Sequence, residues 1–243
     1  MKRCASSSRR RLPGYEPVDG FLNISKPPGL TSFEAVRKVR RIIREKKVGH
    51  CGTLDPMATG VLIVVFGQAT KKAALLSGQD KVYRAEIRLG LATDSGDITG
   101  KIIKESPVPE ISEVQAGSAL KNFMGFTDQI PPMVSALKQG GRRLYALARE
   151  GVTVERSPRR IEIKSIRMIR FESPILEFRV HCSKGTYIRS LAEDIGKVLG
   201  VPATLESLVR ERSGDFGIEE SLPWPQVLAS SRESLLARSH PLS

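Results

Sequence analysis

Residues 49–60 read GHCGTLDPMATG, and residues 61–66 continue directly as VLIVVF. The first segment contains three glycines, which permit turns and close approach by a ligand, and Pro56 restricts Asp55 to an extended conformation. The second segment is an unbroken apolar run, which is typical of a strand buried on both faces. We therefore predict that a rigid strand holds the Asp55 carboxylate on a constrained loop. From these residues alone, the simpler interpretation is that Asp55 only caps a turn.

Composition favours a globular protein that binds a polyanion. The 243 residues can form one large domain, or one domain with an insertion, and 40% of them are hydrophobic. The longest apolar run has six residues, which is too short for a transmembrane helix. A net charge of +13 and a sequence pI near 10.0 make nucleic acid the leading candidate partner.

Cysteine and histidine usage indicates neither a disulfide framework nor a metal site. Three cysteines and three histidines are scattered without ligand spacing: Cys4, Cys51, Cys182, His50, His181 and His240. No phosphate-binding glycine loop or dinucleotide fingerprint is present. We therefore expect no metal, no bound cofactor and a reducing, cytoplasmic location.

A basic helix is predicted near the start of the folded chain. Thr31 and Glu34 have the spacing of a capping box, and apolar residues then recur at helical spacing: Phe33, Val36, Val39, Ile42 and Ile43. The opposite face is basic: Arg37, Lys38, Arg40, Arg41, Arg44, Lys46 and Lys47. This face is either a solvated surface or, because like charges repel, a surface that meets phosphates.

Two further segments carry candidate site residues. Tyr83 begins an alternating pattern over residues 83–89 that predicts a half-buried strand, in which a core role for the tyrosine is the simpler interpretation. Residues 176–182 predict a second such strand, followed by a helix with Tyr187 and Arg189 in its first turn. A helix N-terminus already carries positive potential, so Arg189 needs an anion. Asp55, Glu193 or a substrate phosphate could supply it, and pairing with Asp55 would lower the pKa of that carboxyl.

Three motifs in order carry a resemblance to a known family. They are GHCGTLDPMATG at 49–60, KVYRA at 81–85 and CSKGTYIRS at 182–190. Together they closely resemble the TruB family of tRNA pseudouridine synthases, over about residues 20–216. The resemblance implies an α+β fold, with a mixed, largely antiparallel sheet flanked by helices and a central cleft. It implies an isomerase that converts uridine 55 in the T-loop of tRNA to pseudouridine.

The resemblance also implies roles for individual residues. Asp55 matches the essential aspartate, which attacks either the ribose C1′ or the uracil C6, and Arg189 matches the arginine paired with it. Tyr83 matches the tyrosine packed on the flipped base, and His50 the histidine that contacts the distorted T-loop. Tyr187 and Leu208 match residues that line the nucleoside pocket. Lys26 lies in a matching Lys-Pro motif, for which we expect a structural role.

The expected organisation has three parts. Residues 1–18 form a disordered basic tail, which either touches RNA or serves as a targeting signal. Residues 19–228 form the catalytic domain, whose insertion at about 123–151 resembles the RNA-gripping insertion of the family. Residues 229–243 form a helix or frayed tail, without the C-terminal PUA domain of many members. Val134 stands where many members have an aromatic residue.

We expect a monomer that binds the tRNA T-stem-loop without an obligate protein partner or a membrane. Backbone contacts are expected from the basic helix and the insertion, through Arg37, Arg41, Arg44, Lys138 and Arg142. Two alternatives are a tRNA-folding chaperone that acts by binding alone and the catalytic subunit of a guide-RNA pseudouridylation complex.

Overall fold

A computed structural model describes residues 18–135, 138–144, 147, 150, 152 and 154–241, apart from the side chains of residues 138, 139 and 143. Most of the predicted tail, with Cys4, therefore lies outside the described residues. The described chain forms a ten-stranded mixed sheet with helices packed on it, which confirms the predicted α+β class. Two small hairpins stand apart from this sheet.

The strands of the large sheet are β1 Gly20–Lys26, β2 Val48–His50, β3 Thr59–Phe66, β4 Lys81–Leu89, β7 Gly125–Gln129, β10 Arg159–Glu172, β11 Ile175–Cys182, β12 Ala203–Ser213, β13 Phe216–Gly217 and β14 Leu222–Pro223. They follow the order β14-β1-β3-β12-β4-β11-β10-β7, with β2 paired to β3 and β13 paired to β12. Neighbouring strands are antiparallel except for the pairs β1–β14 and β3–β12. The hairpins are β5 Leu91–Thr93 with β6 Ile102–Glu105, and β8 Lys138–Gln139 with β9 Arg142–Arg143.

Six α-helices are fully described, and a short 3₁₀ helix at Gly67–Lys72 precedes the second of them. They are α1 Ser32–Ile43, α2 Ala73–Ser77, α3 Glu113–Lys121, α4 Ile188–Val198, α5 Trp224–Ala229 and α6 Arg232–Ala237. Among the described residues, no helix is long and apolar enough to cross a membrane.

Strand β3 is buried on both faces, as its apolar run predicts. Leu62, Val64 and Phe66 belong to the main core, together with buried residues of α1, α3 and α4. Val61, Ile63 and Val65 face a smaller core on the other side of the sheet, with Cys51 and Leu76. The loop that carries Asp55 is therefore anchored to a strand that is buried on both faces.

Helix α1 begins at the predicted capping box, in which the Thr31 hydroxyl accepts from the Glu34 amide and the Glu34 carboxylate accepts from the Thr31 amide. Val36, Val39 and Ile43 are buried as expected. The prediction for Phe33 is wrong, because its side chain is 66% exposed. In the first turn, Ser32 occupies the inward position and forms hydrogen bonds with Leu54, so the helix is rotated with Phe33 outward.

The C-terminal segment packs against the start of the fold. Leu235 in α6 is fully buried, and the backbone of His240 exchanges two hydrogen bonds with Phe21 of β1. Within this segment the described residues form a helix at Arg232–Ala237 and an isolated bridge at His240.

Candidate active site

The Asp55 loop is fixed by backbone hydrogen bonds from both sides. Ser32 Oγ donates to the Leu54 carbonyl at 3.1 Å and accepts from the Leu54 amide at 2.8 Å. The Pro56 carbonyl accepts from the Gly29 amide at 2.8 Å and from Lys26 Nζ at 3.2 Å. The main-chain carbonyl of Asp55 closes a turn with the Ala58 amide at 3.1 Å. The backbone forms the turn by itself, so the carboxylate is available for another partner.

That partner is Arg189, in the first turn of α4. Its Nε donates to Oδ2 of Asp55 at 2.8 Å and its Nη2 donates to Oδ1 at 3.1 Å, which is a bidentate ion pair. The Ser95 carbonyl accepts from Nη1 and the Val134 carbonyl from Nη2, each at 2.8 Å. Arg189 is only 3% exposed. Of the anions considered for Arg189, the structure selects Asp55, and the guanidinium joins four segments of the chain.

Burial raises the pKa of the Asp55 carboxyl above its ordinary value, and Arg189 opposes this shift by favouring the charged form. Asp97, whose Oδ2 lies 3.9 Å from Arg189 Nε, raises the pKa of Asp55 further because it is a second negative charge. The expected lowering of the pKa by Arg189 is present, but burial outweighs it and the net direction is upward.

Asp55 and Arg189 lie in a cleft of about 220 Å³. Tyr83, Tyr187 and Leu208 contribute to its walls from β4, the N-cap of α4 and β12. Burial raises the pKa of both tyrosines, so their hydroxyls are held in the neutral form. Five of the predicted site residues therefore surround one concave space, although Asp55 and Leu208 are far apart in the sequence, with many strands between them.

Arg210 was not predicted as a site residue, but its side chain forms hydrogen bonds with carbonyls on both sides of the Asp55 loop. Its Nε donates to the Val61 carbonyl at 2.7 Å and its Nη2 to the Gly52 carbonyl at 3.1 Å, while only 1% of the residue is exposed. Gly60 makes this approach possible: its φ is +95°, and an added Cβ would lie 2.3 Å from the Arg210 carbonyl oxygen. Arg210 follows Leu208 by two residues on one strand, so the period of two was a signal for its position.

Lys26 and Lys81 are buried lysines beside the same loop. Lys26 Nζ donates to the carbonyls of Pro27, Leu30 and Pro56, which agrees with the structural role expected for it. Lys81 lines the cleft and was not proposed as a site residue. Burial lowers the pKa of each lysine to about 8.

The other candidate residues lie outside the cleft. His50 is half-buried on β2 and is not among the described residues that line the cavity. Arg37, Arg41 and Arg44 are exposed on the outer side of α1 and at its end. Arg142 is exposed and pairs with Glu150 in the insertion, whereas the side chain of Lys138 lies outside the described residues. Across the described chain, no group of three or more His, Cys, Asp or Glu could hold a metal ion.

Comparisons with known proteins agree with this architecture. A family described as TruB family pseudouridylate synthase (N terminal domain) matches residues 40–188. A protein called tRNA pseudouridine synthase B in Heliobacterium mobile is 49% identical over 212 residues, which are 86% of this chain and 69% of that protein. The protein of the same name in Endomicrobium trichonymphae is 43% identical over 228 residues, or 94% of this chain and 98% of that protein.

The fold is also similar to a solved structure. A chain in the crystal structure of a Cbf5–Nop10–Gar1 complex aligns with a TM-score of 0.71 and 30% sequence identity. The alignment covers 91% of this chain and 60% of that chain. Much of the longer neighbour therefore has no counterpart in the aligned region.

Proposed function

The chain belongs to the TruB family of pseudouridylate synthases, which are isomerases, and we propose that it converts uridine 55 in the T-loop of tRNA to pseudouridine. The observation that carries this proposal is the bidentate Asp55–Arg189 pair in a cleft walled by two tyrosines and a leucine. An isomerase of this kind needs an activated carboxylate inside a site that admits one nucleoside and limits access of water.

Asp55 is the nucleophile of the proposed reaction. Arg189 favours the charged form of the carboxylate and aims it, because the guanidinium fork fixes both oxygens. Attack by Asp55 at C1′ displaces uracil from N1, and C5 of the rotated base then displaces the carboxylate from C1′. Attack at C6 instead forms an adduct in which the N1–C1′ bond breaks, the base rotates and C5 bonds to C1′, after which Asp55 leaves C6. A proton leaves C5 and a proton is gained at N1, so the product is an isomer of the substrate.

The target uridine reaches Asp55 only when it leaves the folded T-loop. Unstacking a nucleotide costs a few kcal/mol, which stacking on Tyr83 and burial against Tyr187 and Leu208 offset. His50 lies on the strand that leads into the catalytic loop, outside the cleft, where it would meet the T-loop rather than the flipped base.

The basic surface supplies the sequence-independent part of tRNA binding. Exposed arginines of α1 and the insertion would neutralise backbone phosphates: Arg37, Arg41, Arg44 and Arg142, with Lys138 expected to join them. The insertion is connected to the catalytic pair, since the Val134 carbonyl accepts from Arg189. We propose a cytoplasmic monomer that needs no protein partner.

One observation supports a stand-alone tRNA enzyme over the guide-RNA alternative. Relatives named tRNA pseudouridine synthase B are 43–52% identical to this chain, whereas the chain of the Cbf5–Nop10–Gar1 complex is 30% identical. A different observation supports an enzyme over the binding-only alternative, because binding alone does not require a carboxylate inside a cleft lined by two tyrosines and a leucine.

The experiment is release of tritium from tRNA transcript labelled at uracil C5, with purified protein and no guide RNA. We expect release by the wild type and none by Asp55→Asn, with tRNA affinity retained within a few-fold. Turnover by Asp55→Asn would refute the nucleophile assignment. Binding without wild-type turnover would favour the chaperone, and turnover only after addition of a guide RNA would favour the guide-dependent enzyme.

A further inference from the structure

Two buried cations occupy one end of the cleft without a carboxylate partner. Lys81 is 5% exposed and Arg210 is 1% exposed, and both line the cavity. Within the described part of the chain, neither forms a salt bridge, and the nearby Asp80 is paired with Lys164 at 2.6 Å. Burying a charge without a counter-charge is unfavourable. This end of the cleft is therefore electrostatically suited to negative charge on a ligand.

Among the described residues, the Lys81 ammonium group has two acceptors, which leaves one N–H donor for such a ligand. Its Nζ donates to the Ser77 carbonyl at 2.8 Å and to the Gln79 carbonyl at 2.5 Å, and an ammonium group has three N–H donors. The Arg210 guanidinium instead donates to the carbonyls of Val61, Gly52 and Thr53. Arg210 thus contributes positive potential, whereas Lys81 can also donate a hydrogen bond.

Gly52 lines the cleft beside these two cations. An added Cβ at Gly52 would lie 3.5 Å from Arg210 Nη1 and 3.8 Å from Lys81 Cε, so a side chain there would cover both groups. Lys81 also precedes Tyr83 by two residues on β4, which places the two on the same face of the strand. The ammonium group and the ring proposed to stack on the base therefore border the same space.

The reaction under Proposed function, on which this inference rests, generates negative charge on uracil. When the C1′–N1 bond breaks, its electron pair stays with the base and is shared by N1, O2 and O4. Attack at C6 likewise moves the C5–C6 π electrons toward C5 and O4. Either route ends with C5 bonded to C1′, the bond to Asp55 broken, the C5 proton released and N1 protonated. A uracil carbonyl oxygen carries negative charge during both routes.

We propose that Lys81 is a further catalytic residue, whose ammonium group donates a hydrogen bond to the uracil carbonyl oxygen that becomes negatively charged. A donor fixed in a desolvated cleft stabilises developing charge without reorganising, and loss of one such donor lowers rates about 10²–10³-fold. The competing explanation is structural, because the same ammonium group ties down the chain between α2 and β4.

The protonation state of Lys81 provides one test. Burial, and to a smaller extent the charge of Arg210, lower its pKa to about 8, although the groups at Cys182, Cys51 and Asp80 act in the opposite direction. The ammonium form is therefore present at neutral pH and is lost as the pH rises through about 8. The rate of the wild-type enzyme should decline over the same range.

The variants are Lys81→Gln, which removes the charge, and Lys81→Arg, which keeps it. Lys104→Gln, at an exposed position on β6, is the matched control. Single-turnover formation of pseudouridine in a T-stem-loop RNA is followed by chromatography of the digested nucleosides. We expect Lys81→Gln to be about 100-fold slower with an RNA Kd within threefold of the wild type. Lys81→Arg should stay within tenfold of the wild-type rate and show no decline near pH 8, and the control should match the wild type.

The same RNA with 5-fluorouridine at the target position separates catalysis from structure. Fluorine makes the uracil anion intrinsically more stable, so the loss caused by Lys81→Gln should shrink at least fivefold when disappearance of 5-fluorouridine is measured. An equal loss on both RNAs, a Lys81→Gln rate within threefold of the wild type, or an unchanged alkaline decline in Lys81→Arg would overturn the proposal. If Lys81→Gln fails to fold by circular dichroism, the pH profile of Lys81→Arg decides. Absence of pseudouridine formation by the wild type would instead refute the proposed function.

Discussion

Replacement of Arg189 by Met tests the central ion pair through stability. The side chain is removed from a nearly fully buried position where it serves Asp55, Ser95 and Val134. Removing one partner of a buried pair costs about 3–5 kcal/mol. Because the Asp55 side chain retains 31% exposure, water partly replaces the guanidinium, and we expect the lower end, about 3 kcal/mol. In a chain of this length that corresponds to a fall in Tm of about 6–12 °C.

A double-mutant cycle isolates the pair from the two carbonyl contacts. The variants are Arg189→Met, Asp55→Asn and their combination, and the free energy of unfolding is measured by urea denaturation with circular dichroism. Each single variant leaves a charged partner behind, so the combined loss should be smaller than the sum of the single losses by about 2 kcal/mol. Turnover should disappear in Arg189→Met while tRNA affinity changes only a few-fold. Additive losses, or a cost for Arg189→Met below about 1 kcal/mol, would show that the pair is not coupled as the distances imply.

Three other outcomes follow from the geometry. Burial raises the pKa of Asp55 and Arg189 opposes the shift, so wild-type turnover should fall on the acid side at a pH above the usual carboxyl range. Any residual activity of Arg189→Lys should fall at a pH no lower than in the wild type. An acid-side fall at lower pH in the pH–rate profile of this variant would contradict the assigned cause. Gly60→Ala should lower the free energy of unfolding far more than Gly29→Ala, which costs about 1 kcal/mol. Both glycines have positive φ, but an added Cβ would lie 2.3 Å from the Arg210 carbonyl oxygen at Gly60 and would meet open space at Gly29. Equal losses in denaturant titrations would refute the steric argument. Replacing Arg37, Arg41 and Arg44 of α1 by Gln should reduce the slope of log K against log salt by about 3, measured by filter binding of tRNA. The same replacement of three arginines that are paired with glutamates on the sheet, Arg84, Arg88 and Arg179, should leave the slope unchanged.

Periodicity and capping predicted the elements around the site well. The capping box of α1, the alternating strand from Tyr83 and the helix with Arg189 in its first turn are all present. These features depend on residues within one or two turns of each other, so the local sequence is sufficient to specify them. Phe33 is the exception, because the rotation of the first turn is set by the contact of Ser32 with a loop that is distant in sequence.

The candidate site was predicted in part. Motifs identified residues that meet in the cleft, but Lys81 and Arg210 were overlooked although each shares a strand face with a chosen neighbour. Lysine and arginine are mostly exposed in proteins, so the sequence alone predicts a surface position for a cation in a strand. The contact of Arg189 with the Val134 carbonyl could not be predicted either, since it joins a backbone group of the insertion to a remote helix.

Three features could be inferred without coordinates: the basic character of the chain, the strand that anchors the Asp55 loop and the residue types that the proposed chemistry uses. The tertiary structure was needed to show which anion Arg189 binds and in which direction the pKa of Asp55 shifts. It was also needed to locate Lys81 and Arg210, which form no salt bridge within the described part of the chain. The physical reason is that periodicity and turn chemistry act between neighbours in sequence, whereas desolvation and Coulomb interactions depend on distances that only packing sets.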